Sequence, residues 1–195
     1  MDETVGVCVA TFGDRDKWEE IARPALVSIS GQSRQPDQIT YVHGETLASA
    51  RNTAIERLDT TWCIVCDADD LLDEHYVSDM LEAKGTLRFP RVKKVYGDGR
   101  EELIEHEKGN LLGRNFIVIG AMFRRDDFLK VGGFNQSIPI FEDWELWLRM
   151  WKLAGVDIQP SRAVYVQNYN PQGRNQDQSV DIALWYNNIR GRFIY

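Results

Sequence analysis

Three short runs of apolar and β-branched residues, Thr4–Thr11, Ile39–Val42 and Trp62–Cys66, are separated by two stretches whose apolar residues recur at helical spacing. Strand, helix, strand, helix, strand is the pattern of a parallel sheet covered by helices. The first run is apolar on both faces, as a strand buried on both sides must be. In the first helical stretch, about Asp16 to Ser30, Trp18, Ile21, Ala22, Ala25, Leu26 and Ile29 share a face. Pro24 inside it predicts a kink or the start of a second helical piece. Thr46 opens the next helix, through Leu58, with Leu47, Ala50, Ala54, Ile55 and Leu58 facing inward. Ligands of such sheets lie at the carboxyl ends of the strands, which places Thr11-Phe12, His43–Glu45 and Asp67–Asp69 along one rim.

The third strand runs directly into Asp67, Asp69 and Asp70. Carboxylates this close repel one another, and a hard divalent ion with oxygen ligands, Mg²⁺ or Mn²⁺, is a natural neutraliser, often shared with a phosphate-bearing substrate. The same acids also fit a helix start, with Asp70 or Asp73 as the cap. The second half is less regular. A helix is expected over Asp73–Ala83, a hairpin over Thr86–Glu102 turning at Asp98-Gly99, and an apolar strand over Phe116–Phe123. The segment Glu142–Leu153 carries Trp144, Trp147, Leu148 and Trp151 on one helical face, a stripe of the kind that packs into a core. A strand near Ala163–Gln167, the polar loop NYNPQGRNQDQ and a helix near Ser179–Ile189 close the sequence.

No repeat or linker divides the 195 residues, and the size suits one domain. A net charge of −7 argues against a surface that coats nucleic acid in general. Arg88, Arg91, Lys93, Lys94 and Arg100 form one basic stretch, read first as a solvated hairpin face. Cys8, Cys63 and Cys66 sit in apolar runs and read as buried thiols of a reducing compartment; Cys63 and Cys66 lack the further ligands of a zinc site. With no leader-like start and no apolar run near the ~18 residues of a membrane span, the expected location is the cytoplasm or a membrane periphery.

Six ordered motifs, spread over roughly Val5 to Gln167, resemble those of a family 2 type glycosyltransferase of the GT-A fold. They are TFGDR after the first strand, SISGQSRQPDQITYV, ARNTAI, CDADDLL with its Asp-x-Asp, MFRRDDFLKVGGFN, and FEDWELWLR with its Glu-Asp pair. The resemblance implies an α/β, single-domain, Rossmann-like fold with a mostly parallel central sheet flanked by helices and a small hairpin addition. Residues 1–70 would form the nucleotide-binding half and residues 71–195 the acceptor-side half. The implied activity is metal-dependent inverting transfer of a sugar from a nucleotide-diphosphate-sugar to a hydroxyl acceptor.

By the same carry-over, Asp69 ligates Mn²⁺ or Mg²⁺, while Asp67 binds the ribose and reaches the metal through water. Thr11 and Phe12 line the nucleobase pocket, and Arg15, His43, Glu45, Arg51 and Ala68 belong to the donor side. Asp143 is the base that takes the acceptor proton, with Glu142, Trp144 and Gly133 on the acceptor side. Read without the resemblance, Arg51 is a helix-surface ion-pair residue and Glu142-Asp143 a helix cap. Two departures stand out. His43-Gly44-Glu45 replaces an aspartate of the family pattern, and VYVQNYNPQGRNQ lacks the family's late histidine, leaving Gln167 or Asn168 as oxygen donors.

Two other classes compete. A nucleotidyltransferase expects a glycine-rich, lysine-bearing loop after the first strand, of which TFGDRDK is a poor version; a non-catalytic nucleotide-sugar-binding module has no need of intact acids. The acceptor is open between a saccharide, a glycolipid headgroup and a hydroxylated macromolecule. The basic stretch also admits a phosphate-rich acceptor, including a hydroxymethylated base in DNA.

Overall fold

The computed structural model describes residues 3–169 and 181–194. Strand β1 (Val5–Phe12) lies between β2 (Gln38–Gly44) and β3 (Trp62–Asp67), parallel to both, so that Thr11 stands level with His43 and Ala10 with Asp67. Helix α1 (Arg15–Ser30) connects β1 to β2, and α2 (Leu47–Glu56) connects β2 to β3. With strand order β2-β1-β3, right-handed crossovers send these helices over opposite faces and leave a crevice at the carboxyl end of β1. Asp14 caps α1 by accepting the Lys17 N–H at 3.2 Å, and the helix runs through Pro24 as one piece. Thr46 and Ser49 form a reciprocal capping box on α2.

Beyond β3 the sheet is mixed, its long parallel pairs joined by short antiparallel ones, so that most of the pairing is parallel as expected. The order is β2-β1-β3-β7-β5-β8-β4, with β6 beside β5; parallel pairing outside the first three strands is confined to β5 with β8. These strands are β4 (Leu71–Leu72), β5 (Leu87–Val95), β6 (Glu101–Ile104), β7 (Met122–Arg124) and β8 (Ile158–Asn168). The sheet curls, and β4 at its far edge touches α1 and β3 again. Gln32 fastens this closure by donating to the Asp73 carbonyl at 2.6 Å and accepting the Val77 N–H at 3.0 Å. Helices α3 (Tyr76–Glu82), α4 (Arg125–Lys130), α5 (Glu142–Arg149) and α6 (Ile182–Gly191) complete the fold, with a π-helical turn at Met150–Ala154. Among the described residues no helix is long and apolar enough to cross a membrane.

Several local expectations change. The strand expected over Phe116–Phe123 is reduced to β7; residues 105–121 form a long connection in which Phe116 and Ile117 are buried without ladder pairing. Its carbonyls are taken by side chains instead: Leu111 by Trp144 Nε1 at 2.8 Å, Ile117 by Trp147 Nε1 at 3.1 Å, and Gly120 by the Tyr76 hydroxyl at 2.6 Å. Asp70 opens no helix; its carboxylate accepts the Asn168 N–H at 2.9 Å and ties the third-strand turn to the end of β8. Arg88 does not belong to a basic face. It is buried, lies 4.0 Å over the Trp62 ring and donates to the carbonyls of Met80 and Gly85. The three cysteines are buried and free, and burial raises all three thiols, Cys63 to about 12, which keeps them protonated. Most of the expected NYNPQGRNQDQ loop, and the start of the expected last helix, lie outside the described residues.

Candidate active site

The rim forms as the strand pattern requires. Thr11 is buried at the end of β1, with its hydroxyl 3.0 Å from His43 Nδ1 and 3.2 Å from the Tyr41 hydroxyl. Phe12 is half-buried beside it, whereas Arg15 and Glu45 are exposed. A Cβ on Gly44 would stand 3.0 Å from the Ala50 Cβ, so a larger residue there would push α2 away from the end of β2.

Arg51 links the two halves of the site. Ala48, Ala50 and Ala54 let α2 sit close to the sheet, and Arg51, on the same buried face, is 2% exposed. Its Nη2 meets Asp67 Oδ1 at 2.5 Å and its Nη1 meets Glu142 Oε1 at 2.7 Å. Burial works against the guanidinium charge, but Asp67 and Glu142 outweigh it and hold the pKa above its ordinary value. The next residue, Asn52, donates to the Phe134 carbonyl at 3.0 Å and accepts its N–H at 2.7 Å, pinning the Gly132-Gly133-Phe134 turn to α2. Gly133 sits in that turn with φ 72°.

At the end of β3, Asp67 is half-buried and its N–H donates to the Tyr165 hydroxyl at 3.0 Å. Ala68 is buried and Asp69 half-buried, with the Asp69 carbonyl accepting from Asn168 Nδ2 at 2.6 Å. Burial and then the Asp67 charge raise the Asp69 carboxyl above the usual range; burial, Asp67 and Asp69 push Asp70 up to about 8. Among the described residues only Arg51 forms an ion pair with these acids, and the donors are all oxygens, so the turn suits a hard divalent cation. Among the described residues no three His, Cys, Asp or Glu side chains stand ready to hold a metal. A cation bound at this turn would complete its shell with ligand oxygens or water.

The opposite wall begins at Phe141, a non-glycine residue with φ 63° and ψ 25° immediately before α5. That left-handed step is sterically costly and delivers Glu142 and Asp143 at the helix start. Glu142 turns to Arg51; Asp143 is half-buried, with Oδ1 accepting the Trp144 N–H at 2.7 Å and Oδ2 accepting from Asn115 Nδ2 at 3.2 Å. Burial, then the neighbouring Glu142, raise the Asp143 carboxyl to about 6, against the opposing pull of the Trp144 N–H, Arg51 and Asn115. Trp144 is fully buried and stacked on Tyr186 at 4.9 Å, so it packs in the core and offers no surface to an acceptor.

A cavity of about 300 Å³ brings Arg51, Asp67, Glu142 and Asp143 together, with His106, Asn115, Phe116, Tyr165 and Gln167 among its lining residues. Asp69, Ala68, Gly133, Trp144 and the Thr11–His43 corner do not line it. Asn52 lies within the ARNTAI motif, whereas His106 and Asn115 are not signalled by the sequence, because a single histidine and asparagine in an irregular loop carry no spacing signal.

The family described as Glycosyl transferase family 2 matches residues 5–130. Among solved structures, residues 1–349 of S. aureus TarS in complex with UDP superpose with a TM-score of 0.64 at 14% identity, covering 97% of this chain and 70% of that one. The same protein in complex with UDP-GlcNAc gives a TM-score of 0.67 at 12% identity, covering 91% of this chain and 62% of that one. No curated protein matches the sequence.

Proposed function

The chain belongs to glycosyl transferase family 2, and from that premise we propose that it is a metal-dependent inverting transferase, moving a sugar from a nucleoside-diphosphate-sugar to a hydroxyl acceptor. The observation that carries this reading is Asp143 opposite Asp67 in one cavity, with its carboxyl raised to about 6. A base with that pKa is ionised near neutral pH yet still basic enough to take a proton. Donor binding belongs to the β1–β3 rim, with Asp67 fixed by Arg51. A UDP-linked sugar is the first donor to test, because the similar fold of TarS binds UDP and UDP-GlcNAc.

In the reaction the acceptor oxygen attacks the anomeric carbon as Asp143 removes its proton, and the bond from that carbon to the diphosphate oxygen breaks. A single displacement of this kind inverts the anomeric centre. Asp69, with Asp67 beside it, would hold Mn²⁺ or Mg²⁺, which supplies neutralisation of the charge on the departing diphosphate. Asn115 and the Trp144 N–H aim the Asp143 carboxylate, and the left-handed Phe141 sets the helix start that presents it. The test is product formation from UDP-GlcNAc with Mn²⁺ and candidate acceptors by the native chain and by Asp143→Asn. Transfer by the native chain only is expected; equal transfer by the variant overturns the base assignment.

A further inference from the structure

One tryptophan of the Glu142–Leu153 stripe does not pack as the others do. Trp144 and Trp147 are fully buried, whereas Trp151, in the π-helical turn, is half-buried. It lines a second cavity, of about 240 Å³, together with residues 108–111 of the long connection and Val156–Ile158 at the entry to β8. The floor is apolar, with Leu111, Phe116, Val156 and Ile158 all buried. Lys152 covers one face of the indole, its Nζ 4.8 Å from the ring centre, and the ring also contributes to the cavity wall.

The rim is polar, with Lys108, Asn110 and Asp157 exposed. Lys108 Nζ meets Asp157 Oδ1 at 3.8 Å, so the charges of the wall offset each other. An exposed pair this long contributes little to stability, and both groups can turn to a ligand. Asn110 Oδ1 accepts the Leu112 N–H at 3.0 Å, which leaves its amide N–H groups to donate. Gln159 donates to Asp157 Oδ1 at 2.8 Å and helps to hold that carboxylate in place.

A ligand of this cavity needs an apolar face for Trp151 and the floor, and an edge of groups that both donate and accept. A pyranose ring has this form, since its C–H face stacks on an indole and its hydroxyls surround the edge. The volume, below the ~300–1,000 Å³ of sites for drug-sized ligands, suits a single ring. A phosphate ester would meet one cation in the wall, already opposed by a carboxylate.

The second cavity adjoins the candidate active site. Phe116 lines both, and the connection that supplies His106 and Asn115 to the first supplies residues 108–111 to the second. Trp144 Nε1 donates to the Leu111 carbonyl at 2.8 Å, so the floor of the second cavity is bonded to the residue next to Asp143. We propose that this cavity is a subsite for a neutral sugar ring of the acceptor, beside the unit whose hydroxyl reacts. The proposal rests on transfer taking place in the first cavity with Asp143 as base. The acceptor class is accordingly a saccharide of two or more units.

Binding of the full chain, loaded with Mn²⁺ and UDP, to a concentration series of immobilised neutral mono- and oligosaccharides tests this. At least one oligosaccharide binds about tenfold or more tightly than its own terminal monosaccharide, and Trp151→Ala removes most of that advantage. Asp157→Ala, on an exposed side chain, weakens the same oligosaccharide without touching the core, and both variants keep UDP affinity within about twofold. No saccharide bound by the native chain overturns the subsite, as does oligosaccharide affinity that is equal in the native chain and in Asp157→Ala and Trp151→Ala. Variants that lose UDP affinity instead assign the cavity to the donor and equally overturn it. Failure of the underlying reading would be seen separately, as transfer by Asp143→Asn, and leaves the saccharide-binding result standing.

Discussion

In the proposed reaction Asp143 and the two groups that hold it decide the chemistry. Asp143→Asn keeps the shape and removes the base, so kcat should fall by about 10²–10⁴-fold, the usual contribution of a positioned general base. Nucleotide affinity should be retained, because the donor rim is not touched. The pH profile follows from the direction of the shift. A base works when deprotonated and the Asp143 carboxyl is raised to about 6, so kcat/KM should rise with pH through about 6 and level off above it. Asn115 donates to the carboxylate at 3.2 Å and so favours its charged form. Removing it in Asn115→Ala should move that limb to higher pH, by roughly one to two units if a hydrogen bond to a charged group contributes about 1.5–3 kcal/mol. A limb that stays in place would mean that Asn115 does not set the base. Arg51 shows how far a residue can be read from its neighbours. Helical spacing alone would put it on an ion-paired surface, but it is buried, because alanines on either side draw α2 onto the sheet and two carboxylates from distant parts of the chain meet it there.

Among the elements, β1 to β3 and their helices were legible because each is local: period, caps and turn residues lie within the segment itself. The connection over 105–121 was not. Its apolar run looks like a strand, but its carbonyls are claimed by Trp144, Trp147 and Tyr76, partners far away in sequence, and those bonds replace a ladder. The loss matters, since this connection supplies His106 and Asn115 to the cavity. The turn that follows β7 and α4 offers a sharper comparison. Gly132 and Gly133 have φ of 82° and 72°; a Cβ on Gly132 meets nothing within 4 Å, whereas one on Gly133 meets Asn52 Oδ1 at 2.7 Å. Gly132→Ala should therefore cost only the left-handed backbone strain, about 1–2 kcal/mol. Gly133→Ala should cost more, since it also displaces the Asn52 clamp on Phe134; urea denaturation of the two variants compares them. Equal losses would show that the clamp contributes nothing.

For the molecule as a whole, the α/β class and the rim of acids were legible, and the curl of the sheet was not. The curl depends on β8 pairing with β5 on one side and the two-residue β4 on the other, a junction held by Asp70, Tyr165 and Gln32 that no single segment announces. Arg51 makes a separate junction, joining α2, β3 and α5. Arg51→Met strips Asp67 and buried Glu142 of their shared cation and should cost about 3–5 kcal/mol of stability, the usual penalty for breaking a buried pair. Arg51→Lys should rescue it only in part, because one ammonium cannot fork between two carboxylates. The central claim is that the Asp67–Asp69 turn and the β1–β3 rim bind a nucleoside diphosphate together with a divalent ion. Calorimetric titration with a panel of nucleoside diphosphates, with and without Mn²⁺, tests it most directly. Binding of one nucleotide in preference to the others is expected, dependent on Mn²⁺ and lost in Asp69→Asn; nucleotide binding indifferent to both the metal and Asp69 would rule out a metal-bridged diphosphate at this turn.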